Sequence, residues 1–290
     1  NSPKLTDPPN GFIATANNDF DGSYSDGAAT NESHTPWQAP PAYGHRHKRI
    51  VEMIEDGGND HTADTMHDIQ EDTFSLHGET LVPEILSVVS NNMGQPPADV
   101  QKVVDALKDW NYTCPTGLDG NDPETASKVS DPAETKESIG CAAFHVLIPA
   151  LTKAVFDDEL DGISDYDAKS GWGRLQDALI YAFTDPSQLN GGTDYFDDVT
   201  TMGKTETKVD VVFAALDETA ADLQKAFGSS PPDDWGWGRI HTVTFTSLFA
   251  AAGVDTYDEG PFVNDGGFYT VDVANPVGRD NSYNHPNGAS

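Results

Sequence analysis

Asn17 and Asn18 stand side by side at the end of an apolar run, Phe12-Ile13-Ala14-Thr15-Ala16, that reads as a short strand. On residue type alone they are a strand end leading into a turn. Three carboxylates follow in the next loop, Asp19, Asp21 and Asp26. Calcium takes six to eight oxygen ligands and could use them, although a salt-adapted surface loop carries the same acids. A second acidic run, Asp157-Asp158-Glu159-Leu160-Asp161-Gly162, fails the test for an EF-hand. Its twelfth position is Ala168 where a bidentate glutamate is needed, so it reads as a solvated helix end.

The one basic knot is His45-Arg46-His47-Lys48-Arg49. It is either a helix start whose side chains pair with nearby acids, or a set of cations kept to organise or bind a carboxylate. His45, His47, His61, His67 and His77 offer no His-x-x-x-His pair and no paired cysteine ligands, which argues against zinc. Cys114 and Cys141 can be two buried thiols or one disulfide. The loop between them is rich in glycine, proline and acids and needs tethering. The disulfide is therefore expected, and it would contribute about 3 to 4 kcal/mol. No GxSxG, Walker loop or GxGxxG fingerprint is present, and no Ser–His–Asp set can be argued from spacing.

These groups sit in a chain of 290 residues with 48 Asp and Glu against 16 Lys and Arg, a formal charge of −32. Such a surface repels nucleic acid and anionic membranes. The charges alternate with apolar residues at helical spacing, so the chain reads as an acid-coated folded protein and not as a disordered one. The same coat suits high salt, where counterions screen self-repulsion. No run approaches the 18 to 20 apolar residues expected of a membrane span.

The elements that must position these residues follow from periodicity. Helices are expected over 43–55, 62–73, 81–89 and 100–110, the last with Val100, Val103, Val104 and Leu107 on one stripe. Asp131-Pro132-Ala133-Glu134 is a helix start: Asp caps, Pro suits the first position and Glu can bond back. That helix should run to Phe156, kinked at Pro149, with further helices at about 170–183 and 206–227. His241–Phe245 and Phe268–Val273 are expected strands. The fold class is α+β, divided into 1–41 (core strand and loop), 42–233 (helical) and 234–290 (a return to the core sheet), with both ends able to share a sheet.

Six stretches in order resemble the penicillin acylase family of N-terminal nucleophile amidohydrolases, which includes the acyl-homoserine lactone acylases. They are Gly11-Phe12-Ile13-Ala14-Thr15-Ala16-Asn17-Asn18-Asp19, Gly44-His45-Arg46-His47-Lys48-Arg49-Ile50, and Cys114-Pro115-Thr116-Gly117-Leu118-Asp119-Gly120. Gly140-Cys141-Ala142-Ala143-Phe144-His145, Trp237-Gly238-Arg239-Ile240-His241-Thr242 and Gly260-Pro261-Phe262 complete the order. The resemblance implies part of an αββα sandwich with a large, mostly helical insertion. It implies a serine nucleophile at a free N-terminus whose α-amine is the base. It makes Asn17 the amide donor of an oxyanion hole and Arg49 the active-site arginine, with Arg46 as the competing alignment. It places a structural calcium between them, on Asp19, Asp21 or Asp26, and implies no organic cofactor.

The departures shape the expectation. Residue 1 is Asn and Ser2 is not terminal, so the chain is expected to be the latter part of a β-subunit, inactive alone. Companion chains would carry the nucleophile and the rest of the sandwich. The activity implied is cleavage of an acyl–amide bond in a β-lactam side chain, an acyl-homoserine lactone or a similar small molecule. The setting implied is extracellular, cell-surface or periplasmic, in a high-salt organism. The rival from another class is a non-catalytic, acid-coated surface protein that kept an acylase scaffold. A calcium-dependent binding module is the third reading.

Overall fold

The computed structural model describes residues 6–18, 44–92, 94, 96–160, 172–189, 194–228, 231–273 and 283–285. They form a mixed architecture of helices and two small sheets, compatible with the α+β class. The chain divides into two units, Asn1–Asp72 and Thr73–Ser290.

The first unit holds two helices, α1 (His45–Gly57) and α2 (Ala63–Gln70). Gly44 precedes α1 with φ +99°, a left-handed conformation that glycine adopts without steric cost. Thr62 and Thr65 bond reciprocally across the start of α2, satisfying two amides that a helix end leaves open. The strand expected over Phe12–Ala16 is not formed: residues 12–15 carry no ladder pairing among the described residues. A strand needs a bonded neighbour, and this segment is bracketed by left-handed residues, Gly11 at φ +80° and Asn17 at φ +58°. Ile13 stays 60% exposed while Ala16 is buried.

The second unit is built around α5 (Pro132–Phe156), packed by α3 (Leu76–Asn91), α4 (Ala98–Lys108), α6 (Trp172–Thr184) and α7 (Lys208–Phe227). Asp131 caps α5 by accepting from the Ala133 amide at 2.9 Å, with Pro132 at the first helical position. The helix continues through Pro149. It is long and apolar enough to cross a membrane by length and composition, which corrects the expectation that no run approaches that size. Its most apolar 18-residue window is 78% buried inside the protein, the pattern of a core helix. Gly140 and Gly78 leave room for the Trp110 ring: a Cβ at Gly140 would lie 2.3 Å from Trp110 side-chain atoms, and one at Gly78 would lie 2.5 Å away. The Cys114–Cys141 disulfide ties the loop after α4 to α5, with Cα atoms 5.2 Å apart.

A hairpin of β1 (Leu118–Asp119) and β2 (Ser127–Lys128) follows α4. After a short helix, α8 (Trp237–Ile240), the chain enters β3 (His241–Phe245), the middle strand of a three-stranded sheet. It pairs antiparallel with β4 (Glu259–Val263) and parallel with β5 (Tyr283–His285). The strand expected at Phe268–Val273 is instead a set of turns, with Gly266 at φ +62° and Tyr269 at φ +70° breaking the extended backbone. Thr270 Oγ1 accepts from the Gly267 amide at 2.9 Å and holds that turn. The place beside β3 goes to Glu259–Val263.

Candidate functional site

The polar centre of the first unit is assembled by one face of α1. Arg46 and Arg49 are three residues apart, so both project from that face. Arg46 donates from one terminal nitrogen to Asn17 Oδ1 at 2.6 Å and to the Ala16 carbonyl at 3.1 Å. Arg49 makes a bidentate pair with Asp72, 2.9 Å from Nε and 2.7 Å from Nη2. Asp72 is nearly buried, with 11% of its side chain exposed, so this pair is better shielded from water than a surface ion pair.

The contact to Arg46 decides which way the Asn17 amide faces. A guanidinium has donors and no acceptor, so only the oxygen of the carboxamide can meet it. The Nδ2 amino group is thereby turned away, and it has no acceptor among the described residues. The backbone assists. Asn17 sits in the left-handed region, which asparagine tolerates better than most side chains, and the amide of Ala16 donates to Asn18 Oδ1 at 3.1 Å. A fixed cation on the oxygen also polarises the amide and makes Nδ2–H a better donor.

His45, first in α1, is buried, and burial followed by the Lys48 charge lowers its pKa to about 4. It is therefore neutral beside the two arginines at neutral pH, and positive charge on this face belongs to the guanidinium groups. The basic knot divides its labour: Lys48 pairs with Glu52 at 3.6 Å, Arg46 holds the exposed Asn17 and Arg49 the shielded Asp72.

The resemblance points to Arg49 as the site arginine. The structure puts Arg46 on Asn17 and Arg49 on Asp72. Asp72 as a partner was missed from the sequence, since nothing local marks a residue 23 positions away. Asp19, Asp21 and Asp26, the candidate calcium ligands, lie outside the described residues. Cys114 and Cys141 form the expected disulfide.

The remaining resemblance stretches meet one another in the second unit and make its framework. Trp237 stacks between His145, with centroids 4.7 Å apart, and His241, 4.3 Å apart. Its indole donates to the Gly266 carbonyl at 2.8 Å. Gly238 donates to the Thr116 carbonyl, and Arg239 clasps the hairpin loop through the carbonyls of Pro123 (2.7 Å) and Ala126 (2.9 Å). The Gly238 and Arg239 contacts join segments more than a hundred residues apart, and the Trp237 stack ties α5 to the start of β3.

Against curated proteins the chain finds no match. The model of the penicillin amidase family matches residues 1–290, the whole chain. The chain belongs to the penicillin amidase family.

Proposed function

We propose that this chain works within an acylase assembly of the penicillin amidase type, where Asn17 Nδ2–H donates to the oxyanion formed on the substrate's amide carbonyl. The observation that carries the proposal is the Arg46–Asn17 bond, which holds Oδ1 and presents Nδ2. On the family pattern, the nucleophile is an N-terminal serine hydroxyl from a companion segment, with its own α-amine as base. The sandwich implied by the family would be completed by that segment.

The step then runs as acyl transfer. The serine oxygen bonds to the carbonyl carbon, its proton passes to the α-amine, and the carbonyl electron pair moves onto oxygen. Asn17 stabilises that charge with a neutral donor that is oriented before the reaction begins. Collapse of the intermediate expels the amine, which takes the proton, and leaves an ester. Water attacks the ester carbonyl by the same route, again against Asn17, and the acid departs. Arg46 acts through Asn17 as a positioning residue. Arg49, locked to Asp72, braces α1 so that Arg46 stays in place. The substrate class is a small acyl amide, such as a β-lactam side chain or an acyl-homoserine lactone, met outside the cytoplasm at high salt.

The test is Asn17→Ala in the complete assembly. Loss of one oxyanion donor should reduce kcat by about 100- to 1,000-fold with KM little changed. An unchanged kcat would remove Asn17 from the reaction.

A further inference from the structure

A cavity of about 490 Å³ opens in the second unit between the β1–β2 hairpin, the start of α5, the end of α7 and the turn before α8. Its volume lies in the range of small-molecule sites. Leu118, Ile139 and Phe227 give it an apolar floor, and four charged side chains line it: Lys128, Arg239, Asp233 and Asp234.

The charges have a specific arrangement. Both cations are held by neutral oxygens, Lys128 by the Asp233 carbonyl and Arg239 by the carbonyls of Pro123 and Ala126. Among the described residues, neither cation forms an ion pair with Asp233, Asp234 or any other acid. Two held cations and two exposed aspartates thus line one cavity, with no ion pair among the four. In a chain with three acids for every base, this is a locally balanced site. The walls are preformed. Ser138 Oγ donates to the Thr116 carbonyl at 2.9 Å and accepts from the Trp237 amide at 2.7 Å, joining α5, the hairpin and α8. Gly117 has φ +70°, and a Cβ there would lie 2.4 Å from Ser138 Oγ, so glycine keeps this wall open.

We infer that this cavity binds a small zwitterion of the α-amino-acid type with an apolar side chain. Its carboxylate would lie toward Lys128 and Arg239, its ammonium toward Asp233 and Asp234, and its side chain on the apolar floor. A simple anion meets the two aspartates and a simple cation meets the two bases, so each is disfavoured relative to the molecule carrying both charges. The site is independent of Asn17 and of the acylase reading.

The test uses L-leucine, N-acetyl-L-leucine and L-leucinamide with the full chain, by calorimetry and ligand-observed saturation transfer at constant ionic strength. L-leucine should saturate, with each blocked analogue binding at least tenfold more weakly. Lys128→Gln should weaken L-leucine about tenfold, as should Asp233→Asn combined with Asp234→Asn. All three positions are exposed, and thermal melting would verify that the variants fold. Failure of L-leucine to saturate, equal binding of the three probes, or binding indifferent to both variants would overturn the site.

Discussion

The two units carry parts of the same family pattern and use them in opposite ways. In the second unit, Cys114, Gly140, Cys141, His145 and Trp237 are buried and touch one another, and their partners are other parts of the fold. In the first, Asn17 is exposed and Arg46 is half-buried, and their mutual bond engages Oδ1 while Nδ2 has no acceptor among the described residues. A motif residue whose contacts are all spent inside is a structural residue. One that is held from one side by a neighbour, as Asn17 is by Arg46, is what the proposed function requires. Substitutions should separate the two kinds cleanly: stability should fall in the second unit, and activity in the first.

The largest stability effect should come from the disulfide. Replacing Cys114 and Cys141 together by alanine should cost about 2 to 5 kcal/mol in urea unfolding. Gly140→Ala should cost about 1 to 3 kcal/mol, since its methyl group meets the Trp110 side chain. Asn17→Ala, in contrast, should shift the same unfolding curve by only about 1 kcal/mol, from the left-handed backbone and the lost Arg46 bond. A large stability loss at Asn17 would erase the distinction between the units.

Acid titration probes both units at once. His45 and His145 are each held neutral by burial, with pKa values lowered to about 4. Because the folded values lie below the ordinary 6.5, the stability they contribute is present above pH 6.5 and is lost as pH falls through about 4. Their imidazole C2–H resonances should stay fixed between pH 7 and 5.5 in the folded protein. A midpoint near 6.5 for either would show that its ring is solvated.

Glu159, just beyond the end of α5, behaves in the opposite sense. Burial, then the neighbouring Asp158, raises its pKa to about 8. Its contribution is therefore complete below about pH 4.5 and is lost as pH rises through about 8. Glu159→Gln should flatten that decline slightly, as measured by melting temperature between pH 6 and 9. An identical pH slope in the variant would show that the carboxyl is already ionised.

The sequence made the second unit more legible than the first because its signals are local. Asp131-Pro132 marks the start of α5, the expected helix over 206–227 is α7, and alternation over His241–Phe245 gives β3. Each of these depends on neighbours within a few residues. The failures depend on distant partners. Phe12–Ala16 has strand composition but no bonded neighbour among the described residues, and Phe268–Val273 loses its place at β3 to Glu259–Val263. The two arginines share a helix face, so spacing could not choose between them. Only the folded positions of Asn17 and Asp72 assign Arg46 to one and Arg49 to the other. The cavity was hidden for the same reason, since Lys128 and Asp233 lie 105 residues apart.

The most direct test of the central claim is a double-mutant cycle on kcat in the complete assembly, with Asn17→Ala, Arg46→Gln and both together. If Arg46 acts by holding the Asn17 amide, Arg46→Gln should lower kcat about tenfold in the parent and leave it nearly unchanged once Asn17 is alanine. Equal losses in both backgrounds would contradict the account, because Arg46 would then act on the reaction without Asn17.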